Sequence, residues 1–476
     1  MARINTNVAS LTAQRGLTKT QKNLSETLQR LSSGLRINRG ADDPAGLIAS
    51  EGLRSEISGI TQAIDNSQRA SNVISTTEGA LGEVASLLLN IKDLIVEAAN
   101  SGALSADEVR ANQLQVDSAV ESITRISNTT TFAGLKLLNG SLGYLTSGVT
   151  TSQVTALQIN QANFGTNANI PVQVDVITSA RTAELEFQAS AIGAGGATLE
   201  IAGTEGVDVL TFTSATTASA VAFAVNRIAD ATGVTAELIN SANPLSGMVF
   251  KSTSYGSRSF VSVKAQSGAF TTLDQQGNAA ERTEGTDAVA TINGALTVGD
   301  GLTLKLNTAS LDLDLTLDRA FGAGQTQFAI TGGGALFQLG PQVTSNQQVN
   351  LGIDSIAASK LGNEDIGYLS DIVTGGNATL VGGRSAAASQ IIEAAINQVA
   401  VLRGRLGAFE KNTLETNMNS LSVTLENVTA SESSIRDADF AAETAQLTRA
   451  QILTQAGTSV LATANTTPQS VLSLLQ

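Results

Sequence analysis

The sequence predicts an α+β protein: a long antiparallel helical coiled-coil or bundle core built from both chain ends, with a β-rich inserted outer region. Three observations predict it. Apolar residues at heptad spacing run through residues 1–140 and 385–476. Residues 141 to 351 are rich in Gly, Thr, Ser, Val and Ala and carry stretches of strict alternation. The prolines Pro44, Pro171, Pro244, Pro341 and Pro468 leave residues 45–170 and 342–467 free of that residue, as long helices require.

The first helix is marked by Leu17, Leu24, Leu28, Leu31 and Leu35. A second starts at Asp43-Pro44, where Asp43 caps and Pro44 takes the first helical position. Its seam is Ile74, Leu81, Leu88 and Ile95, interleaved with Val84, Ile91 and Ala98. Running to Asn100, this helix would reach roughly 80 Å at 1.5 Å per residue. Gly102 and Ser105 break it, and Val109, Val116, Val120 and Ile123 mark the next. A turn-rich β element follows Thr131 within 131–150.

In the middle region, Leu302, Leu304 and Leu306 alternate with polar residues, as do Leu311, Leu313, Leu315 and Leu317. The link Asn307-Thr308-Ala309-Ser310 suits a hairpin. Strands are also expected over Thr198–Ala202, Val207–Thr213, 234–239 and 259–265, with a helix carrying Val221, Val225 and Ile228. Inserted between two helical halves, this region should project as one or two separate domains.

Towards the C-terminus, Ile392, Val399 and Leu406 interleave with Ala395, Leu402 and Phe409. The phase then shifts and resumes as Leu414, Met418, Leu421, Leu425 and Val428, as at a coiled-coil stutter. A last helix carries Phe440, Leu447, Ile452, Leu453, Ala456, Val460 and Leu461. Both end helices are amphipathic but thin, so alone they would be marginal in water. They are expected to pair and to need neighbours. The expected division is 1–43 plus 433–476, an inner terminal-helix domain; 44–165 plus 352–432, a helical bundle with a β element; and 166–351, the outer insert.

Composition narrows the chemistry. The 476 residues include no Cys, His or Trp, which removes thiolate and imidazole catalysis and the usual zinc sites. Carboxylates remain, so composition leaves a hard-cation site or a carboxylate pair open; no enzyme, cofactor or metal is nonetheless expected. The balance of 28 Lys and Arg against 42 Asp and Glu gives a net charge of −14. That acidity argues against nucleic-acid binding. No run of 18 apolar residues is present, so membrane insertion is not expected. The N-terminal stretch lacks the apolar core of a cleaved secretory signal.

The blocks RLSSGLRINRGADDPAG (30–46), TTEGALGEV (76–84) and TTFAGLKLLNG (130–140) resemble those of bacterial flagellins, as do SSIRDADFA (433–441) and AQILTQAGTSVLATANTTPQSVLSLLQ (450–476). Ala290-Thr291-Ile292-Asn293-Gly294 and Val234–Leu238 are similar to repeats in flagellin and hook-protein inserts. The resemblance implies a self-assembling filament subunit for swimming motility. It implies export through the flagellar type III channel without signal cleavage and an extracellular location in the filament. The implied partners are other copies of the chain, a hook–filament junction protein, a filament cap protein, a C-terminal-binding export chaperone and the export machinery. A junction protein of the same family is the alternative reading; the long QAGTSVLATAN block favours the major subunit.

The resemblance also assigns residues. Inner-tube packing between subunits would fall to Leu24, Leu28, Leu31, Phe440, Leu447, Leu453 and Val460. Arg36, Asn38, Arg39, Asp42 and Asp43 would form the spoke joining inner and outer layers, with opposite charges able to meet. Ile74, Leu81, Leu88, Ile95, Val399, Leu402 and Leu406 would form the helical-bundle seam. Asn90 and Gln115 stand where family members recognised by the animal innate flagellin receptor usually carry Arg and Glu, while Leu94 is retained. Weak recognition is expected. Glu432 and Ser434 stand where basic residues are common, and Gln476 where Arg is usual.

Overall fold

The computed structural model describes residues 6–100, 102–165, 167–240, 242–243, 246–308 and 310–473. Pro244, the Ala309 of the expected hairpin link and Gln476 lie outside the described residues. The helices are α1 (Val8–Ser33), α2 (Pro44–Ala99), α3 (Ala106–Thr129), α4 (Ala218–Arg227), α5 (Ala229–Thr232), α6 (Ser385–Phe409), α7 (Thr416–Arg436) and α8 (Phe440–Ser473). The middle of the chain is β-rich, so the architecture is the α+β arrangement expected, with long helices drawn from both ends.

Local chemistry sets the helix limits. Gly34 ends α1 in the left-handed region at φ 73°, where a side chain would be strained. At the start of α2, Asp43 accepts the Gly46 N–H at 2.9 Å. Ser105 opens α3 with a capping box: its hydroxyl accepts the Glu108 N–H, and the Glu108 carboxylate accepts the Ser105 N–H at 2.7 Å. The phase shift after Phe409 has a structural cause. A π-turn, Glu410–Glu415, joins α6 to α7 and absorbs one extra residue, so Leu406 and Leu414 are both 0% exposed despite being eight positions apart. Glu410 is held there by the hydroxyls of Ser71 and Ser75, at 2.5 and 3.2 Å.

The chain divides into two compact units. One contains residues 1–70, 338–343 and 411–476, and hence α1, α8, α7 and the first part of α2. The other contains 71–337 and 344–410.

In the second unit, Ile74, Leu81, Leu88 and Ile95 of α2 are fully buried, as are Val116, Val120 and Ile123 of α3 and Val399, Leu402 and Leu406 of α6. The loop before α6 is fastened to α3 by Gln113. Its amide donates to the Ile372 carbonyl and accepts the Leu380 N–H, both at 2.8 Å. Asp117 takes the Thr374 N–H and hydroxyl at 2.9 and 2.6 Å. The β element after Thr131 includes a short hairpin, Thr131–Phe132 with Leu135–Lys136, turned by Ala133 and Gly134 at positive φ.

The β region has two hydrophobic cores. The first lies in a sandwich of a five-stranded and a six-stranded sheet. Its strand Val154–Ala162 lies ahead of residue 166 in the chain. The leucine hairpin forms as expected, with Leu304 opposite Leu315 and Leu306 opposite Leu313, all buried. The second core joins the sheet Thr182–Phe187, Met248–Tyr255 and Val234–Leu238 to a four-stranded sheet, with α4 supplying Val221, Ala222 and Val225. There the strands Ala197–Ala202 and Val207–Phe212 pair as expected.

Helix α6 meets the sandwich through a partly buried polar cluster. Arg405 donates to the Asn160 side-chain oxygen and to the Gly352 carbonyl at 3.1 Å. The Tyr144 hydroxyl donates to the Asn350 carbonyl at 2.9 Å and accepts the Ala162 N–H at 2.8 Å. Burial pushes that phenol up to about 12. Burial also raises the Asp354 carboxyl above its ordinary value, against the pull of Arg405, and lowers the Arg405 guanidinium.

Candidate assembly surface on the terminal helices

Helices α1 and α8 pair antiparallel along their lengths. Near one end the Asn7 amide donates to the Ala464 carbonyl and the Ser10 hydroxyl to Asn465, both at 2.7 Å. Midway, Gly457 passes over Leu17, where an added Cβ would lie 3.3 Å from the leucine methyl. Near the other end Arg30 pairs with Glu443 at 3.2 Å, and the Ala438 N–H donates to the Gly34 carbonyl at 2.9 Å.

The facing stripes are heptad-spaced. Ala13, Leu17, Thr20, Leu24, Thr27 and Leu31 are the covered positions of α1; Glu443, Leu447, Ala450, Thr454, Gly457 and Leu461 are those of α8. The seam is thin, because only Thr27, Glu443 and Ala450 of these are fully buried. Many hydroxyls of α8 bond back to their own helix: Thr444 to Phe440, Thr448 to Thr444, Thr454 to Ala450 and Thr463 to Ser459. Such bonds add nothing between helices and slightly weaken the helix itself. A pair like this has little stability without further neighbours.

The seven residues assigned to inner packing fall into two groups. Leu24, Leu31 and Leu447 are half-buried in the seam within the chain. Leu28, Phe440, Leu453 and Val460 face away from it, at 49, 58, 51 and 57% exposure. Val8, Leu11 and Ile452 are exposed as well. Val8 and Leu11 escape a reading built on the leucine heptad, although their spacing of three places them on one helix face.

The loop between α1 and α2 holds all five spoke residues. Arg36 donates its backbone N–H to the Arg436 carbonyl at 2.7 Å and its guanidinium to the Ile435 carbonyl at 2.5 Å. Asp42 accepts the N–H groups of Asn38 and Arg39 at 3.0 and 2.9 Å. The Arg39 guanidinium reaches Gln29 at 2.7 Å, the Asn38 amide donates to Leu35, and Asp43 caps α2. Among the described residues, then, the guanidinium groups of Arg36 and Arg39 bind neutral oxygens, and Asp42 holds Arg39 only through its backbone N–H.

The two N–H bonds, with Arg30 and Arg39 nearby, hold the Asp42 carboxyl below its ordinary 3.8. A depressed carboxylate contributes order that is present above the ordinary value and lost as pH falls through the lowered one. The Asn38 and Arg39 amide resonances should therefore hold steady through neutral pH. They should shift together only on strong acidification, and a transition near pH 6 would contradict this.

The bundle-seam residues Ile74, Leu81, Leu88, Ile95, Val399, Leu402 and Leu406 are all in the interior. Asn90 and Gln115 are exposed and Leu94 is half-buried.

Residues 4–142 match the family model for the bacterial flagellin N-terminal helical region, and residues 389–475 match that for the C-terminal helical region. The chain is similar to the flagellin of Salmonella rubislaw, at 32% identity over 504 aligned residues covering 99% of each chain. It is also similar to a flagellin of Salmonella typhimurium, at 30% over 507 residues and 99% of each chain. The B-type flagellin of Pseudomonas aeruginosa is 30% identical over 531 residues, again covering 99% of each.

Proposed function

Because the chain belongs to the bacterial flagellin family and is a structural subunit of the flagellar filament, we propose that its growth contacts are made by the apolar residues that the α1/α8 pair leaves uncovered. Leu28, Phe440, Leu453 and Val460 carry this reading. A two-helix pair covers one stripe on each helix, and these four lie off it, beside the exposed Val8, Leu11 and Ile452. Copies stacked about a common axis would take that surface from water. Leu24, Leu31 and Leu447 serve instead to hold α1 on α8.

The spoke Arg36, Asn38, Arg39, Asp42 and Asp43 carries load between α1 and α2, because its bonds run to backbone groups at both ends of the loop. The filament lies outside the cell. The chain reaches it through the flagellar export channel without signal cleavage and is met by an export chaperone, the junction protein and the cap. Its role is mechanical and not catalytic.

Seeded growth of the purified protein, followed by electron microscopy, tests the contacts. The double variant Leu453→Ser, Val460→Ser should keep its helix content. Its critical concentration should rise by roughly tenfold or more, because burying a large aliphatic side chain contributes about 1.5 to 3 kcal/mol. Growth at the unmodified concentration would count against this assignment.

A further inference from the structure

The segment Gln338–Val343 follows a sandwich strand in the chain, yet it packs with α2 and α7 in the terminal-helix unit. Leu339 is buried, and its carbonyl accepts the Asn417 amide of α7 at 2.8 Å. The same amide reaches the Ser67 hydroxyl of α2 at 3.3 Å. Pro341 lies against Gly59 of α2 so closely that an added Cβ would stand 3.0 Å from the proline Cβ and 3.3 Å from its carbonyl oxygen. The segment is also stapled to itself. The Gln338 amide donates to the carbonyls of Gly340 and Gln342 at 2.8 and 2.7 Å. Its shape is therefore set before it docks, which lowers the entropy lost on docking.

We propose that Gln338–Val343 is a releasable latch that fixes the axial register of α7 on α2, and that freeing it lets the two helices slide. Apolar packing alone resists such sliding poorly here. No residue of α7 is fully buried, and Met418, Leu421, Leu425 and Val428 are only half-covered. At the far end of α7, Arg436 reaches Glu51 at 3.5 Å, but Glu51 is half-exposed and the pair is weakened by salt. The Asn417 bonds are short-range and directional, and the Pro341–Gly59 contact is steric, so these set the register. The latch is open to release from its outer edge, where Val343 is 85% exposed, while the Asn417 amide holds Leu339 to α7.

The inference rests on the filament reading only for its second readout. The first is hydrogen exchange on the soluble full-length chain, comparing wild type with Pro341→Gly and Asn417→Leu. Pro341→Gly leaves both helices intact and keeps the comparison valid should Asn417→Leu misfold. Amides of 60–70 and 414–425 should exchange about tenfold faster in the variants, the equivalent of one lost hydrogen bond. The second readout is the helical pitch of seeded filaments, which should differ from that of wild type. Unchanged exchange would overturn the latch, and faster exchange with an unchanged pitch would overturn its control of register. A wild-type chain that grew no filaments would sink the filament reading, and exchange alone would then judge the latch.

Discussion

A chain lacking residues 457–476 folds its helical bundle and both β modules but grows no filament. The deletion removes Gly457, which passes over Leu17, together with Leu461 and the Ala464 carbonyl that receives the Asn7 amide. It also removes Val460 from the uncovered apolar surface. What remains of α8 is one 17-residue helix, 440 to 456, facing only the second half of α1. Thin helices near that length are marginal in water. The sandwich core, the second β core and the seam of Ile74, Leu81 and Leu88 contain none of the deleted residues. The circular dichroism signal should fall only by the loss of the terminal helices, and thermal unfolding of the remainder should be preserved. Seeded mixtures viewed by electron microscopy should show seeds without extensions. Filaments growing at the normal rate from such a truncation would refute the assignment of the assembly surface.

Arg405→Met should destabilise the second unit by about 2–3 kcal/mol at neutral pH, below the range for stranding a fully buried charge because both Arg405 and Asp354 are half-buried. The Asp354 carboxyl is raised by burial and pulled back by the Arg405 guanidinium. Methionine fills much of the same volume, so most of the loss should be electrostatic, together with the bonds to Asn160 and Gly352. The pH dependence separates these causes. A carboxyl whose folded pKa is raised contributes stability at low pH that is lost as pH rises through its folded value. Without Arg405 the Asp354 value rises further. The gap between variant and wild type should therefore narrow as pH falls through the carboxylate range, where protonated Asp354 needs no counter-charge. Denaturant titrations at several pH values measure this. A gap that stays constant would mean that lost hydrogen bonding or packing, and not the stranded carboxylate, dominates.

Much of the helical architecture was legible because short-range chemistry controls it. Asp43-Pro44 announces the start of α2, and Gly102 with Ser105 announces the break before α3. The eight-residue step from Leu406 to Leu414 betrays the π-turn as a change of phase. The leucine hairpin was equally plain, since period-two alternation has one reading in a sheet.

The proposed assembly surface was only half legible. Periodicity finds Leu24 and Leu28 on one broad stripe, but it cannot say that the fold covers the first and leaves the second in water. The spoke shows the same limit from another direction. Spacing allows Arg36 and Asp42 to meet opposite charges, whereas within the chain both are engaged by backbone groups, which a list of side chains does not display. The latch was invisible. Nothing periodic surrounds Pro341, and its contacts at Gly59 and Asn417 depend on distant parts of the chain. The presence of two β cores likewise depends on which strands pair, and local pattern does not determine that.

The threonines of α8 have a consequence for how copies meet. A hydroxyl whose proton is already spent on the carbonyl one turn back makes no directional demand on whatever lies opposite. A face bearing such groups among alanines and a few large aliphatics can rest against a neighbour at slightly different rotations without leaving a donor stranded. Tolerance of small misalignment would then be a property of the surface chemistry of each helix, available wherever two copies touch.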